Sequence, residues 1–144
     1  MKYSEGYKYV TEEDISILVP PYLYNTVPTI THLYTCYADY QPFDDSGSKV
    51  MELLVKEGYA WDGPSGPVPD TKRNMFPSLI HDVWYQLIRE HHMPMCTRVQ
   101  SDRWFGELCK QSGTPKWLAN GYVTVLNRCG EKYAREVKPI LEMN

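Results

Sequence analysis

Residues 78–90 read SLIHDVWYQLIRE. Leu79, Val83 and Leu87 fall on one stripe at helical spacing, with Ile80, Trp84 and Ile88 on the stripe beside it, which predicts a helix buried on most of its surface. Ser78 or Pro77 can start it, and HHMP at 91–94 breaks it. Pro94 suits the first turn of a second helix that turns Val99, Phe105 and Leu108 inward and stops at Gly113. A third helix is expected over about 115–128, ending at Gly130, and a last helix or tail over 131–143, broken at Pro139.

Before residue 60 the pattern is β-like. ISILV at 15–19, THLYTCYADY at 31–40 and KVMELLVKEGYAW at 49–61 are separated by PPYLYNTVP and QPFDDSGS, short β-branched and aromatic runs between turn-rich breaks. An antiparallel meander is expected, with DDSGS at 44–48 as the hairpin turn pairing 33–40 with 49–57. The fold class is therefore α+β in a single domain, 1–144, made of a β-rich part (1–59), a loop (60–76) and a helical part (77–144).

Composition narrows the function. With 15 Lys+Arg against 18 Asp+Glu the net charge is −3, without the basic surplus of a nucleic-acid binder. Cys36, Cys96, Cys109 and Cys129 are far apart, read as buried thiols rather than metal ligands, and imply a reducing compartment. No run approaches the roughly 20 apolar residues that span a bilayer, and no basic start precedes an apolar stretch, so a soluble protein without a signal peptide is expected. Twelve Tyr and four Trp leave rings to spare for a binding surface.

The chemistry is concentrated around GYAWDGPSG at 58–66 and HDVWYQ at 81–86. If the two central helices form an antiparallel hairpin, facing residues have numbers adding to about 183. His81 then faces Asp102, an arrangement that fixes the ring tautomer and makes His81 a candidate general base. Tyr85, one turn on, lies close enough to hydrogen-bond Asp102. Asp82 points about a quarter-turn away, toward the loop. There Asp62, with carbonyls of Gly63, Ser65 and their neighbours, completes an oxygen donor set suited to Ca²⁺. Trp61, Met75, Phe76 and Trp84 are expected to form an apolar mouth for substrate. Each feature taken singly has an ordinary explanation as turn, core ring or solvated charge; the joint arrangement carries the reading.

The stretch from Gly58 to Glu90, with RVQSDRWF at 98–105, resembles a family of phage, prophage and bacterial proteins classed as a domain of unknown function, in which W-D-G-P-S-G and H-D-x-x-Y-Q recur. More distantly, a glycine-rich loop, a helix with H-D-x-x-Y and an Asp on the partner helix is similar to the order in secreted phospholipase A2 enzymes, especially short bacterial ones. That resemblance implies His81 as general base, Asp82 as Ca²⁺ ligand with the loop, Asp102 as the residue orienting His81, and Tyr85 as support. The chain departs from it in having Ile80, Val83 and Trp84 where many of those enzymes flank the pair with cysteines, and in having Pro64 and Pro67, which remove amide donors from the loop.

Two functions follow as expectations. One is a calcium-dependent hydrolase of a lipid or small acyl ester using a His-Asp dyad. The other is a non-catalytic phage accessory or virion protein, with a phage or host protein partner, that keeps the motif as a structural clip. The phage resemblance implies host cytoplasm or virion as the location. A metal phosphohydrolase fits poorly, because its upstream histidine would be His32 in a strand-like segment, while His91 and His92 read as a solvated hairpin tip.

Overall fold

The structure, a computed structural model, describes residues 1, 3–4, 9–43, 49–63, 68 and 71–135. It is α+β, with the strands and one short helix first and the longer helices after them. The strands are β1 (Tyr3–Ser4), β2 (Tyr9–Thr11), β3 (Ile15–Leu18), β4 (Leu33–Tyr34), β5 (Ala38–Pro42), β6 (Met51–Val55) and β7 (Ala60–Trp61). The helices are α1 (Pro21–Tyr24), α2 (Lys72–Arg89), α3 (Arg98–Gln111), α4 (Lys116–Cys129) and α5 (Glu131–Ala134).

The strands form two antiparallel sheets rather than one meander, in the orders β1-β2-β7 and β3-β6-β5-β4. The expected pairing of 33–40 with 49–57 is realised only by β5 and β6, in register from Ala38↔Val55 to Pro42↔Met51. Leu33 belongs to β4, which folds back onto β5. Thr35 causes the break: its hydroxyl donates to the Ala38 carbonyl at 2.6 Å and accepts from the Ala38 amide at 2.9 Å, closing a turn inside THLYTCYADY. The DDSGS turn itself lies outside the described residues, as does the break at Pro139.

Period-two alternation makes the four-stranded sheet one-sided. Met51, Leu53 and Val55 of β6, with Ala38 and Tyr40 of β5, are buried on the face that meets α2. Trp84 is fully buried there, edge-on to Tyr40 at 5.9 Å and to Trp104 of α3 at 6.3 Å.

α2 starts at Lys72, six residues before Ser78, and Pro77 lies inside it. Only one backbone hydrogen bond is forgone, the one its missing amide would make to residue 73 near the helix start. α3 starts at Arg98, after a 3-10 turn over Met95–Thr97 that follows Pro94. Val99 is exposed, against expectation, because nine residues at about 100° each put it on the side of α3 opposite Leu108, while Phe105 and Leu108 are buried as expected. α2 and α3 run antiparallel: Asn74 lies opposite Cys109 and His81 opposite Asp102. Gly106 permits α4 to approach α3, since a Cβ there would fall 2.3 Å from Val123 Cγ2. Only Cys109 of the four thiols is buried; Cys36, Cys96 and Cys129 are exposed, contrary to the expectation for them. No helix of the described residues is long and apolar enough to cross a membrane.

Candidate functional site

The α2–α3 hairpin brings His81, Tyr85 and Asp102 together, as the facing-residue argument expects. His81 Nε2 lies 2.7 Å from Asp102 Oδ1, and the Tyr85 hydroxyl donates to the same oxygen at 2.6 Å. Arg98, one turn before Asp102, donates from Nη1 to Oδ2 at 3.3 Å. Three donors thus converge on one carboxyl that is 0% exposed. A carboxylate only accepts, so His81 Nε2 carries the hydrogen between them, and in the neutral ring Nδ1 is then the acceptor. Nδ1 has no hydrogen-bond partner among the described residues.

The ring of His81 makes tilted contacts with Tyr85, at 4.2 Å between centroids, and Phe105, at 5.2 Å. Burial, followed by the Asp102 charge, pushes the Tyr85 phenol well above its ordinary range, so it remains a donor at any working pH.

Sequence reasoning does not single out Arg98, and it marks Gly130 only as the end of the third helix, where Gly130 does cap α4. Arg98 also donates to the Leu126 and Asn127 carbonyls at 3.2 and 3.3 Å, so one guanidinium caps the C-terminal end of α4 and braces Asp102. The i,i+4 spacing of Arg98 and Asp102 was the readable signal. Gly130 lets α4 end against this network, because a Cβ there would lie 2.3 Å from the Tyr85 oxygen and 3.0 Å from Arg98 Nη1.

The second group lies beside the first. Trp61 Nε1 donates to Ser78 Oγ at 3.1 Å, which ties β7 to α2 and sets the position of the chain that continues into Asp62 and Gly63. Asp62 is exposed, Gly63 is buried with φ +87°, and Ser65 lies outside the described residues. Asp82 Oδ2 is 3.0 Å from the Tyr59 hydroxyl, which also lies 2.8 Å from Gln86 Oε1 and serves one acceptor at a time with its single hydrogen. Burial raises the proton affinity of Asp82; Arg89, the Tyr59 hydrogen bond and His81 act against that rise, and Asp62 adds to it. Tyr59 was read only as the end of a strand-like run, and nothing in its spacing marked it as the partner of Asp82.

Two carboxyls that sense each other's charge, with Asp82 Oδ1 unpartnered among the described residues, fit a hard cation's preference for oxygen donors. Among the described residues no group of three or more His, Cys, Asp or Glu side chains is arranged to hold a metal, so further donors would be backbone carbonyls such as that of Gly63.

The residues expected to form a substrate mouth are placed differently. Trp61, Met75 and Trp84 are buried in the main core, at 2%, 3% and 0% exposure, and Phe76 packs against it. The apolar contacts of His81 come from Tyr85 of the main core and from Phe105 of a second cluster that also holds Val68, Cys109, Ala119, Tyr122 and Leu126. Comparison of the chain with protein-family models, with curated proteins and with solved structures found no match in any of the three.

Proposed function

We propose that the protein is a calcium-dependent hydrolase of acyl esters, with a lipid as the favoured substrate. The observation carrying this reading is the His81–Asp102 contact of 2.7 Å with Nδ1 left unpaired among the described residues, the tautomer a general base requires. In this mechanism Nδ1 takes a proton from water as the water oxygen attacks the ester carbonyl carbon. Asp102 stabilises the imidazolium, and the proton passes to the leaving alkoxide as the C–O bond breaks. Tyr85 and Arg98 hold Asp102 in place throughout. Asp62, Asp82 and the Gly63 carbonyl would hold Ca²⁺, which when bound supplies positive charge to polarise the ester carbonyl.

The second reading, a phage accessory or virion protein that keeps the motif as a clip, draws support from the completeness of the network. His81 is 5% exposed and Asp102 accepts from three donors, which is also how a purely structural buried pair is arranged. Hydrolysis of phospholipid and simple esters, assayed with Ca²⁺ and with chelator, separates the two. The hydrolase reading requires turnover that His81→Ala lowers by roughly 10²-fold or more. Absence of turnover on every ester with Ca²⁺ present transfers the case to the accessory protein.

A further inference from the structure

We propose that the end of the molecule formed by the start of α2 and the turn from α3 into α4 docks on an anionic phospholipid surface. Trp117, at the start of α4, is 75% exposed, more than any other large apolar side chain among the described residues, whereas Trp61, Trp84 and Trp104 are at most 4% exposed. An indole held in water at a helix start is suited to the boundary between headgroups and acyl chains, where its ring and N–H are both satisfied.

The charge around it is mostly positive; Glu107, which shares a cleft with Lys110 and Asn120, is paired with Arg103 and Tyr22. Lys72, Arg73, Lys110 and Lys116 are all exposed, and none has an acidic partner among the described residues. Arg73 Nη1 donates to the Gly113 carbonyl at 3.3 Å, which places the start of α2 against the α3–α4 turn. Segments 71–81 and 108–130 contain no Asp or Glu, although the whole chain has a net charge of −3. Four of the chain's 15 Lys and Arg thus stand together at one end of an acidic protein, the complement of an anionic leaflet. Four cations on an acidic chain are few for a nucleic-acid backbone, and an exposed indole with no ring stacked beside it among the described residues favours the lipid boundary over stacked bases.

Between these parts runs a groove of 330 Å³ whose walls include Arg73, Pro115, Leu118 and Tyr122. The Tyr122 ring stacks 6.4 Å from Phe105, and Phe105 lies 5.2 Å from His81. The surface therefore sits over the apolar cluster that flanks the dyad. The docking claim does not depend on hydrolysis, and its test uses His81→Ala protein so that no lipid is consumed.

The full-length His81→Ala chain is mixed at low ionic strength with vesicles of phosphatidylcholine alone or of equal parts phosphatidylcholine and phosphatidylglycerol. Because the other tryptophans are buried, acrylamide quenching reports mainly on Trp117. The expected result is co-sedimentation with the anionic vesicles only, a blue-shifted emission and protection from acrylamide. Lys110→Gln and Lys116→Gln should each weaken partitioning about fivefold. Trp117→Phe should remove the emission change while circular dichroism stays unaltered. No co-sedimentation with the anionic vesicles, or partitioning indifferent to both lysines, overturns the proposal. So does tighter binding to duplex DNA with the same Trp117 protection, which would assign the surface to nucleic acid.

Discussion

Gly130 and Tyr85 are so close that a Cβ on residue 130 would fall 2.3 Å from the phenolic oxygen that donates to Asp102. The end of α4 is thereby coupled to the dyad. Gly130→Ala is expected to destabilise the protein by about 1–3 kcal/mol, the usual cost of overpacking a closed site. Tyr85→Phe removes the oxygen that clashes, so the double variant should lose less than the sum of the two single losses. Urea unfolding of all four proteins measures this coupling. Part of the loss should persist, because the same Cβ also meets the Leu126 carbonyl at 2.5 Å.

Arg98 makes its contributions to one carboxylate and to two helix-end carbonyls. Arg98→Met keeps much of the aliphatic stem but leaves Asp102 Oδ2 without a donor, and should cost roughly 1.5–3 kcal/mol, the range for a hydrogen bond to a charged group. Arg98→Lys should recover only part of this, since an ammonium cannot span the carboxylate and both carbonyls as the guanidinium fork does. If Lys restored stability in full, the bridging role assigned to Arg98 would be wrong.

Thiol reactivity checks the placement of the cysteines. Cys36, Cys96 and Cys129 are exposed, whereas Cys109 is 0% exposed, bonds Asn74 Oδ1 at 3.6 Å and has its thiol pushed up to about 12 by burial. Native protein should titrate three thiols rapidly with an aromatic disulfide, and the fourth only on unfolding. Rapid reaction of all four would contradict the packing of α2 on α3 at this point.

The α2–α3 hairpin was legible because both helices carry apolar stripes at period 3.6 and a break at 91–94, and that register alone fixes His81 opposite Asp102. The sheets were less so. β2 with β7 and β3 with β6 are pairings across many intervening residues, and no local pattern in ISILV specifies which strand it joins. Trp61 and Trp84 show the limit of composition: a ring read as a binding surface is indistinguishable in sequence from one that fills a core. Their burial follows from Ser78 and Thr97, which supply hydroxyl oxygens to the two indole N–H groups at 3.1 and 2.9 Å. Asp82 was read with its cation partners, but its bond to Tyr59 crosses from the strand half to the helical half and carries no spacing signal.

That bond leads to a prediction about pH and Ca²⁺. Burial raises the Asp82 pKa above its ordinary value of 3.8, more than Arg89, Tyr59 and His81 lower it. The folded protein therefore holds this proton more tightly than the unfolded chain, and folding is favoured by Asp82 below about pH 4 and progressively less so as pH rises through the folded-state value. Asp82→Asn mimics the protonated form, so its gain in melting temperature over the parent should be small at pH 4 and larger at pH 7. Ca²⁺ should act in the same direction on the parent at pH 7, by binding the folded carboxylate, and should leave Asp82→Asn unmoved. Mg²⁺ should do less, since it demands a tighter octahedron and releases water reluctantly. A parent whose melting temperature ignores millimolar Ca²⁺, while Asp82→Asn still shows its pH-dependent gain, would keep the buried-carboxyl account and remove the metal from it.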